Sequence, residues 1–131
     1  MLDYFFVGLG GAIGTIGRFW LNGLVSRRVV SFPLGTMVIN ISGSFVIAFF
    51  FALTAPEGRW MVSGRGRAFF MSGICGGYTT FSAFSLQTLQ LVQDGEWMYA
   101  GLNVGLSVSL CLLAAWLGYI AGASLNGSKG T

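Results

Sequence analysis

The side chains of this 131-residue chain that could act on a ligand are uncharged hydrogen-bond donors inside apolar stretches. They fall in three places along the sequence: Asn40; Thr79, Thr80, Ser82 and Ser85; and Asn103, Ser107 and Ser109. Amide N–H and hydroxyl O–H groups can replace the water around an anion, whereas a fixed positive charge would hold the anion too tightly for fast passage. A single Ser or Asn in an apolar helix is more often structural. It is therefore the whole set, with Asn103, Ser107 and Cys111 on one helix face, that favours a pathway for a small anion.

Two aromatic residues lie beside these hydroxyls. Phe81 and Phe84 are three residues apart and should project from one face of a helix. An aromatic ring carries a positive edge, so two ring edges could line the path of an anion that has lost part of its water. Core packing is the alternative for this pair, and the sequence leaves it open.

The segment GGYTT, residues 76–80, interrupts an apolar run, residues 68–93, that is long enough to cross a bilayer. We predict an unwound backbone there. In a membrane such an interruption is tolerated only where it is buried in protein or lines a cavity. The carbonyls that unwinding frees would also suit a small hard cation held structurally.

The elements that must position these residues are predicted to be membrane-spanning helices. With 54% hydrophobic residues, 8% charged residues, 21 glycines and a mean hydropathy of +0.75, the chain does not have the composition of a soluble domain. Charged residues and prolines mark out four spans, at about residues 2–25, 34–55, 68–92 and 97–123. We predict an all-α integral membrane protein, a single four-span domain over residues 1–131 with a broken third helix.

The spans are poor in charge. Apart from Asp3 at the edge of the first span, their interiors contain no Asp, Glu, Lys or His, and Arg18 is the only charged side chain set within an apolar stretch. Proton-coupled transporters and most cation pathways need an intramembrane carboxylate or histidine. A nucleophile with its base, or a metal-binding set, cannot be assembled from these spans. Because the basic residues are spread over loops and ends, nucleic-acid binding is disfavoured as well. We expect neither an enzyme nor a nucleic-acid-binding protein.

The basic residues are divided only weakly between the two sides of the predicted bundle. Four would lie on one side and two on the other, namely Arg59, Arg65, Arg67 and Lys129 against Arg27 and Arg28. Because the Lys and Arg bias sets the orientation of a membrane protein, a weak bias permits insertion both ways. Glycines four residues apart, such as Gly101 and Gly105, could also pack helices of two subunits together. The sequence thus permits an antiparallel dimer without requiring it.

Nearly the whole chain resembles the Fluc family of fluoride channels, also called CrcB proteins, through one motif in each span. The motifs are GGAIGTIGR ending at Arg18, GTMVINISGSF around Asn40, GGYTTFSAFS at residues 76–85, and the stretch from Asn103 to Gly118. The third motif is the most specific. The resemblance implies a passive channel of the plasma membrane that exports fluoride down its gradient and limits fluoride toxicity. It also implies a dual-topology antiparallel homodimer with two fluoride pathways.

The same resemblance implies roles for individual residues. The family's pore asparagine corresponds to Asn40, and its two pore phenylalanines correspond to Phe81 and Phe84. Its hydroxyl track corresponds to Thr80, Ser82, Ser85, Asn103 and Ser107. The backbone carbonyls of Gly76 and Thr79 would hold a structural Na⁺ at the dimer axis, and Arg18 would lie toward the aqueous vestibule.

Two positions depart from the family pattern. Many relatives carry Glu where this chain has Gln87, so any role of that carboxylate is absent here. Some relatives have Ser where this chain has Cys111, which is a weaker donor.

Two other functions stay open as alternatives. A proton-coupled small multidrug exporter has a similar length, but it needs a carboxylate within its first span, where this chain has only Asp3. A non-transporting membrane scaffold would use the glycine faces for assembly alone.

Overall fold

The computed structural model describes residues 1–127, and all the regular structure in that range is helical. Six α-helices follow one another, with a π-helical segment, Ala68–Cys75, between the third and the fourth. The helices are α1 (Leu2–Ser26), α2 (Leu34–Leu53), α3 (Gly64–Arg67), α4 (Gly76–Tyr78), α5 (Phe81–Gln93) and α6 (Trp97–Asn126). Lys129, which was counted in the charge balance, lies outside the described residues.

Three of these helices, α1, α2 and α6, are long and apolar enough to cross a membrane. They start at the residues where the first, second and fourth predicted spans start. α2 ends at Leu53, two residues before the predicted end at position 55. α6 continues to Asn126, three residues beyond position 123, and stops at Gly127, which has a positive φ of 60°. A positive φ suits glycine at the end of a helix.

The region of the third predicted span contains two helical pieces. α3, the π-helical segment and α4 form one continuous helical run over residues 64–78, and α5 begins only at Phe81. Thr79 (φ −83°, ψ 157°) and Thr80 (φ −153°, ψ 111°) between them are extended. The glycines that were expected to unwind stay helical. Gly77 instead allows a close helix contact, since a Cβ there would collide with the carbonyl of Gly11 in α1.

α1 packs in parallel against the run 64–78. Asp3 pairs with Arg65 near the start of both segments, at 2.6 Å between Oδ1 and Nε. Further along, the Thr15 hydroxyl donates to the Gly77 carbonyl at 3.4 Å. Between these points the backbones touch, because a Cβ on Gly14 would overlap main-chain atoms of the opposing segment. Small residues at such a contact are what close packing of membrane helices requires.

α2 and α6 form a second parallel pair. Gly118 lies against the carbonyl of Phe45, where any Cβ would collide with it. Nearer the ends of both helices, Asn126 Nδ2 donates to the Ala52 carbonyl at 3.1 Å. Glycine therefore brings both pairs of helices together in the same way.

Polar contacts near the carboxyl terminus of α2 hold one end of the helix bundle together. Arg67 Nη1 donates to the Thr54 carbonyl at 2.6 Å and also to the Thr54 hydroxyl. Asn126 Oδ1 accepts from the backbone N–H of Arg59 at 2.7 Å, which holds the following loop against α6. The Arg67 contact supplies a donor to the carbonyl of Thr54, the residue that follows α2. Because the run 64–78 begins where α2 ends, the two parallel pairs run in opposite directions.

The distribution of burial is the reverse of that in a soluble protein. Large apolar side chains point outward, with Trp20 66% exposed and Leu112 68% exposed. The most buried side chains include Asn103 at 1%. An apolar surface of this kind suits lipid and would be a liability in water. The chain is therefore a multi-pass helical membrane protein.

Candidate functional site

A cavity of about 330 Å³ lies beside the interruption at Thr79 and Thr80. Its walls come from α2, the end of the run 64–78, the start of α5 and the middle of α6. The residues that the sequence singled out and that line this cavity are Asn40, Gly76, Thr79, Thr80, Phe81, Phe84, Ser107 and Cys111. Gly76 and Phe81 are exposed, so the cavity opens on the surface of the subunit.

Asn40 takes the place of a backbone partner for Thr80. Its Nδ2 donates to the Thr80 carbonyl at 3.0 Å, and its Oδ1 accepts from the Thr80 N–H at 2.8 Å. Because a backbone N–H can only donate, this pair also fixes which amide atom is oxygen. The second N–H of Nδ2 remains for the cavity that Asn40 lines.

The interruption brings two helix ends of opposite polarity to one cavity. The Thr79 hydroxyl and N–H both donate to the Cys75 carbonyl, at 2.9 and 3.0 Å, and this closes α4. The Thr80 hydroxyl accepts from Ala83 N–H at 3.2 Å, and this caps α5. The carbonyl end of a helix is partly negative and the N–H end is partly positive. The cavity therefore has the positive end of the 13-residue helix α5 at its wall.

Carbonyl oxygens near the interruption lose their helical partners. In a continuous helix the Thr80 N–H would bond to the Gly76 carbonyl, but here it bonds to Asn40. Within residues 1–127 no other donor bonds to the carbonyls of Gly76 or Thr79. The unwinding thus leaves two backbone oxygens available beside the open side of the cavity.

The donors that face the cavity are few and uncharged. They are the second N–H of Asn40, the hydroxyls of Thr80 and Ser107, and the weaker thiol of Cys111. The Ser44 hydroxyl, at the same wall, already donates to the Asn40 carbonyl at 2.7 Å. Such a site can solvate a small anion through neutral groups.

The two phenylalanines lie side by side in different environments. Their ring centroids are 5.4 Å apart, with an angle of 50° between the ring planes. Phe84 is 9% exposed and belongs to the cavity wall, whereas Phe81 is 77% exposed at the open side. In the isolated subunit only Phe84 is enclosed.

Some residues implied by the resemblance lie outside this cavity. The Ser85 hydroxyl donates to the carbonyl of Phe81 at 3.0 Å, a bond within its own helix. Ser82 Oγ lies 3.3 Å from Thr80 Oγ1, so it reaches the cavity only through that neighbour. Arg18, half-buried on α1, is not among the lining residues. Roles of these three residues in a pathway stay predictions.

Asn103 also lies behind the cavity, and it is connected to the cavity by a residue that the sequence reading missed. Asn103 Nδ2 donates to Thr88 Oγ1 at 2.9 Å, and Ser107 Oγ donates to Asn103 Oδ1 at 3.3 Å. Thr88 in turn donates to the Phe84 carbonyl at 2.8 Å. The available signal was the position of Thr88 one helical turn after Phe84, on the same face.

The two departures from the family pattern separate in space. Cys111 lines the cavity described above. Gln87 lines a second cavity of about 520 Å³ near the loop before α2, and its buried Oε1 has no hydrogen-bond partner among the described residues. Of these two residues, only Cys111 therefore lies at the cavity beside Thr79 and Thr80, which we call the donor cavity.

Comparison with known proteins places the chain among membrane channels. Residues 5–119 match the family described as CrcB-like protein, Camphor Resistance (CrcB). A protein of Opitutus terrae named fluoride-specific ion channel FluC is 56% identical over 129 residues, which cover 98% of each chain. Proteins with the same name from Rhodospirillum rubrum and Methylocella silvestris are 53% and 50% identical, covering 95% and 98% of this chain and 98% and 99% of their own. With a motif in every span and a match over nearly its whole length, the chain belongs to the CrcB family.

Proposed function

We propose that this protein is a passive, fluoride-selective channel of the plasma membrane, through which fluoride leaves the cell and its toxicity is limited. The observation that carries the proposal is the cavity at the interruption, whose side-chain hydrogen-bond donors are all neutral. The relatives named fluoride-specific ion channel, similar over nearly the whole chain, supply the identity of the anion. A channel is not an enzyme, and we assign the protein no catalytic step.

The chemistry of fluoride fits these groups. Fluoride is small and strongly hydrated, so a pathway must replace its water with donors. Asn40 Nδ2, the hydroxyls of Thr80 and Ser107, and the ring edge of Phe84 meet that need without a full charge that would trap the ion. The positive end of α5 lowers the electrostatic energy of an anion at the same place.

Passive conduction follows from the chemistry of the cavity lining, which carries no carboxylate or histidine to couple transport to protons. The proton-coupled exporter remains the rival, and it would need an intramembrane acid. Asp3 sits instead at the end of the bundle, paired with Arg65. A scaffold without transport would give the donor cavity no purpose.

Fluoride efflux from vesicles tests the proposal. Purified protein in liposomes loaded with KF should release fluoride when valinomycin carries the K⁺, and vesicles loaded with KCl should release little chloride. Liposomes without protein measure the background leak of fluoride. If fluoride stays inside the protein-containing vesicles while a fluoride-permeable ionophore releases it, the proposed function is wrong.

We further propose that the working form is an antiparallel homodimer whose third span is interrupted. Phe81, 77% exposed beside an open cavity, supports a partner subunit on that face, and three described arginines at one end against two at the other support insertion both ways. A Thr131→Cys variant in intact cells should show both labelled and protected copies with a membrane-impermeant maleimide. The parent protein without that cysteine is the control. Labelling of all copies, or of none, would contradict dual topology.

The carbonyls of Gly76 and Thr79 fit the proposed Na⁺. Both oxygens lack a donor in the described chain, both lie at the carbonyl end of the helical run 64–78, and oxygen is the ligand that hard cations prefer. Side chains offer no alternative, because no three His, Cys, Asp or Glu residues within 1–127 come together to hold a metal. A bound Na⁺ would supply fixed positive charge and hold two subunits in register.

Removing Na⁺ should therefore destabilise the dimer. In Na⁺ the unfolding temperature should be several degrees higher than in N-methylglucamine at equal ionic strength, because a ligand that binds only the folded state stabilises it. Potassium serves as the control for a cation of the wrong size. Equal unfolding temperatures in all three salts would exclude a structural Na⁺ site.

A further inference from the structure

A chain of three hydrogen bonds joins α5 to α6 beside the donor cavity. Thr88 Oγ1 donates to the Phe84 carbonyl at 2.8 Å, Asn103 Nδ2 donates to Thr88 Oγ1 at 2.9 Å, and Ser107 Oγ donates to Asn103 Oδ1 at 3.3 Å. Asn103 is 1% exposed and Ser107 is 5% exposed. Asn103 does not line the cavity and is shielded from water, so its amide must find its partners within the chain.

Thr88 decides which way the Asn103 amide points. A hydroxyl has one proton, and that of Thr88 goes to the Phe84 carbonyl. The Thr88 oxygen can then only accept, so Asn103 must turn its Nδ2 toward it. This leaves Asn103 Oδ1 facing Ser107.

The orientation gives the Ser107 proton two alternative acceptors. One is Asn103 Oδ1, and the other is an anion in the cavity that Ser107 lines. At 3.3 Å the bond to Asn103 is long, and long hydrogen bonds are weak. Ser107 can therefore turn its proton to a passing anion and take it back when the anion leaves.

We propose that Thr88 is a positioning residue of the anion pathway: by orienting the Asn103 amide, it makes Ser107 a donor that releases the anion as readily as it binds it. This inference rests on the proposed fluoride function. Without Thr88, the best remaining partner of Asn103 Nδ2 is Ser107 Oγ. The Ser107 proton would then lose Asn103 Oδ1, the side-chain acceptor that competes with the anion, and the anion would be held longer.

The test compares Thr88→Val, which keeps the shape but removes the hydroxyl, with Thr88→Ser, which keeps the hydroxyl. In proteoliposomes the maximal rate of fluoride efflux should fall about tenfold in Thr88→Val and stay near wild type in Thr88→Ser. The fluoride concentration that gives half the maximal rate should fall as well, because the anion binds more tightly. Thr15→Val, which removes an exposed hydroxyl on α1, is the matched control and should conduct normally.

A double-mutant cycle separates positioning from simple helix attachment. In a Ser107→Ala background there is no proton to position, so Thr88→Val should slow efflux no further. If efflux in the double variant is instead slowed by the product of the factors measured for Thr88→Val and Ser107→Ala alone, Thr88 merely attaches α5 to α6. Should Thr88→Val fail to give a stable protein, Thr88→Ala is measured in its place.

The outcomes separate this inference from the proposed function. A wild-type protein that passes no fluoride overturns both. A wild-type protein that conducts, together with a Thr88→Val variant of unchanged rate and half-saturating concentration, overturns the role of Thr88 alone. A Thr88→Ser variant that conducts as slowly as Thr88→Val also overturns the role of Thr88.

Discussion

Asn40→Asp is expected to lower fluoride efflux a hundredfold or more, which corresponds to about 2.7 kcal/mol in the barrier. The substitution changes one NH₂ group into oxygen at nearly constant size. As a carboxylate, the new side chain would repel both the Thr80 carbonyl, now held at 3.0 Å by Nδ2, and any anion in the cavity. As a neutral acid, it could restore both bonds to Thr80 with its single proton, but no donor would remain for the anion. Either form removes the cavity donor.

The measurement is fluoride efflux from proteoliposomes, with size-exclusion chromatography to show that the protein is intact. Asn22→Asp makes the same chemical change on α1, where Asn22 accepts from Ser26 outside the donor cavity. Its efflux should stay within a few-fold of wild type. If intact Asn40→Asp conducts like Asn22→Asp, then Asn40 only supports the backbone and donates nothing to the pathway.

Phe84→Ile should lower efflux by about tenfold or more. Isoleucine retains apolar bulk in the cavity wall, where Phe84 is 9% exposed, but it has no ring edge to face an anion. Phe81→Ile should act in the same direction once a partner subunit covers the open side. Both variants should remain stable dimers, since the change in volume is modest.

A phenylalanine remote from the cavity provides the control for Phe84→Ile. Phe19 on α1 is 82% exposed, and Phe19→Ile should leave efflux unchanged. Wild-type rates in stable Phe84→Ile and Phe81→Ile proteins would mean that the two rings are packing residues. The anion path would then have to run elsewhere.

Helix starts could be predicted from the sequence because local signals mark them. Pro33 precedes α2, and Gly95 with Glu96 precedes α6. The ends were less predictable, since they depend on contacts between distant segments. α6 extends to Asn126 because that side chain reaches both Ala52 and Arg59.

The extended residues Thr79 and Thr80 lie in the segment where unwinding was predicted, but the glycines of that segment differ from the prediction. Gly76 and Gly77 favour an unwound backbone in isolation, yet they remain helical, and Gly77 serves close contact with α1. The backbone leaves the helix at the threonines because Asn40, about 40 residues earlier, competes for the Thr80 N–H. A competitor on another helix cannot be read from local propensity.

The candidate site shows the same limit. Helical spacing correctly placed Phe81 and Phe84 side by side, with ring centroids 5.4 Å apart. It could not tell which hydroxyls would bond only within their own helix, as Ser85 does to Phe81, and which would also bond across helices, as Thr88 does when it accepts from Asn103. That choice depends on what the neighbouring helix offers.

The opposite directions of the two parallel helix pairs bear on how the subunit enters a membrane. At one end lie the amino termini of α1 and α3 with the carboxyl termini of α2 and α6; at the other lie the carboxyl termini of α1 and α5 with the amino termini of α2 and α6. Each end thus presents two partly positive and two partly negative helix termini, whose dipoles nearly cancel. The main chain itself then favours neither orientation, and the choice rests with a few arginines in the loops. If the chain inserts both ways, as we propose, small changes in loop charge should be enough to give it a single orientation.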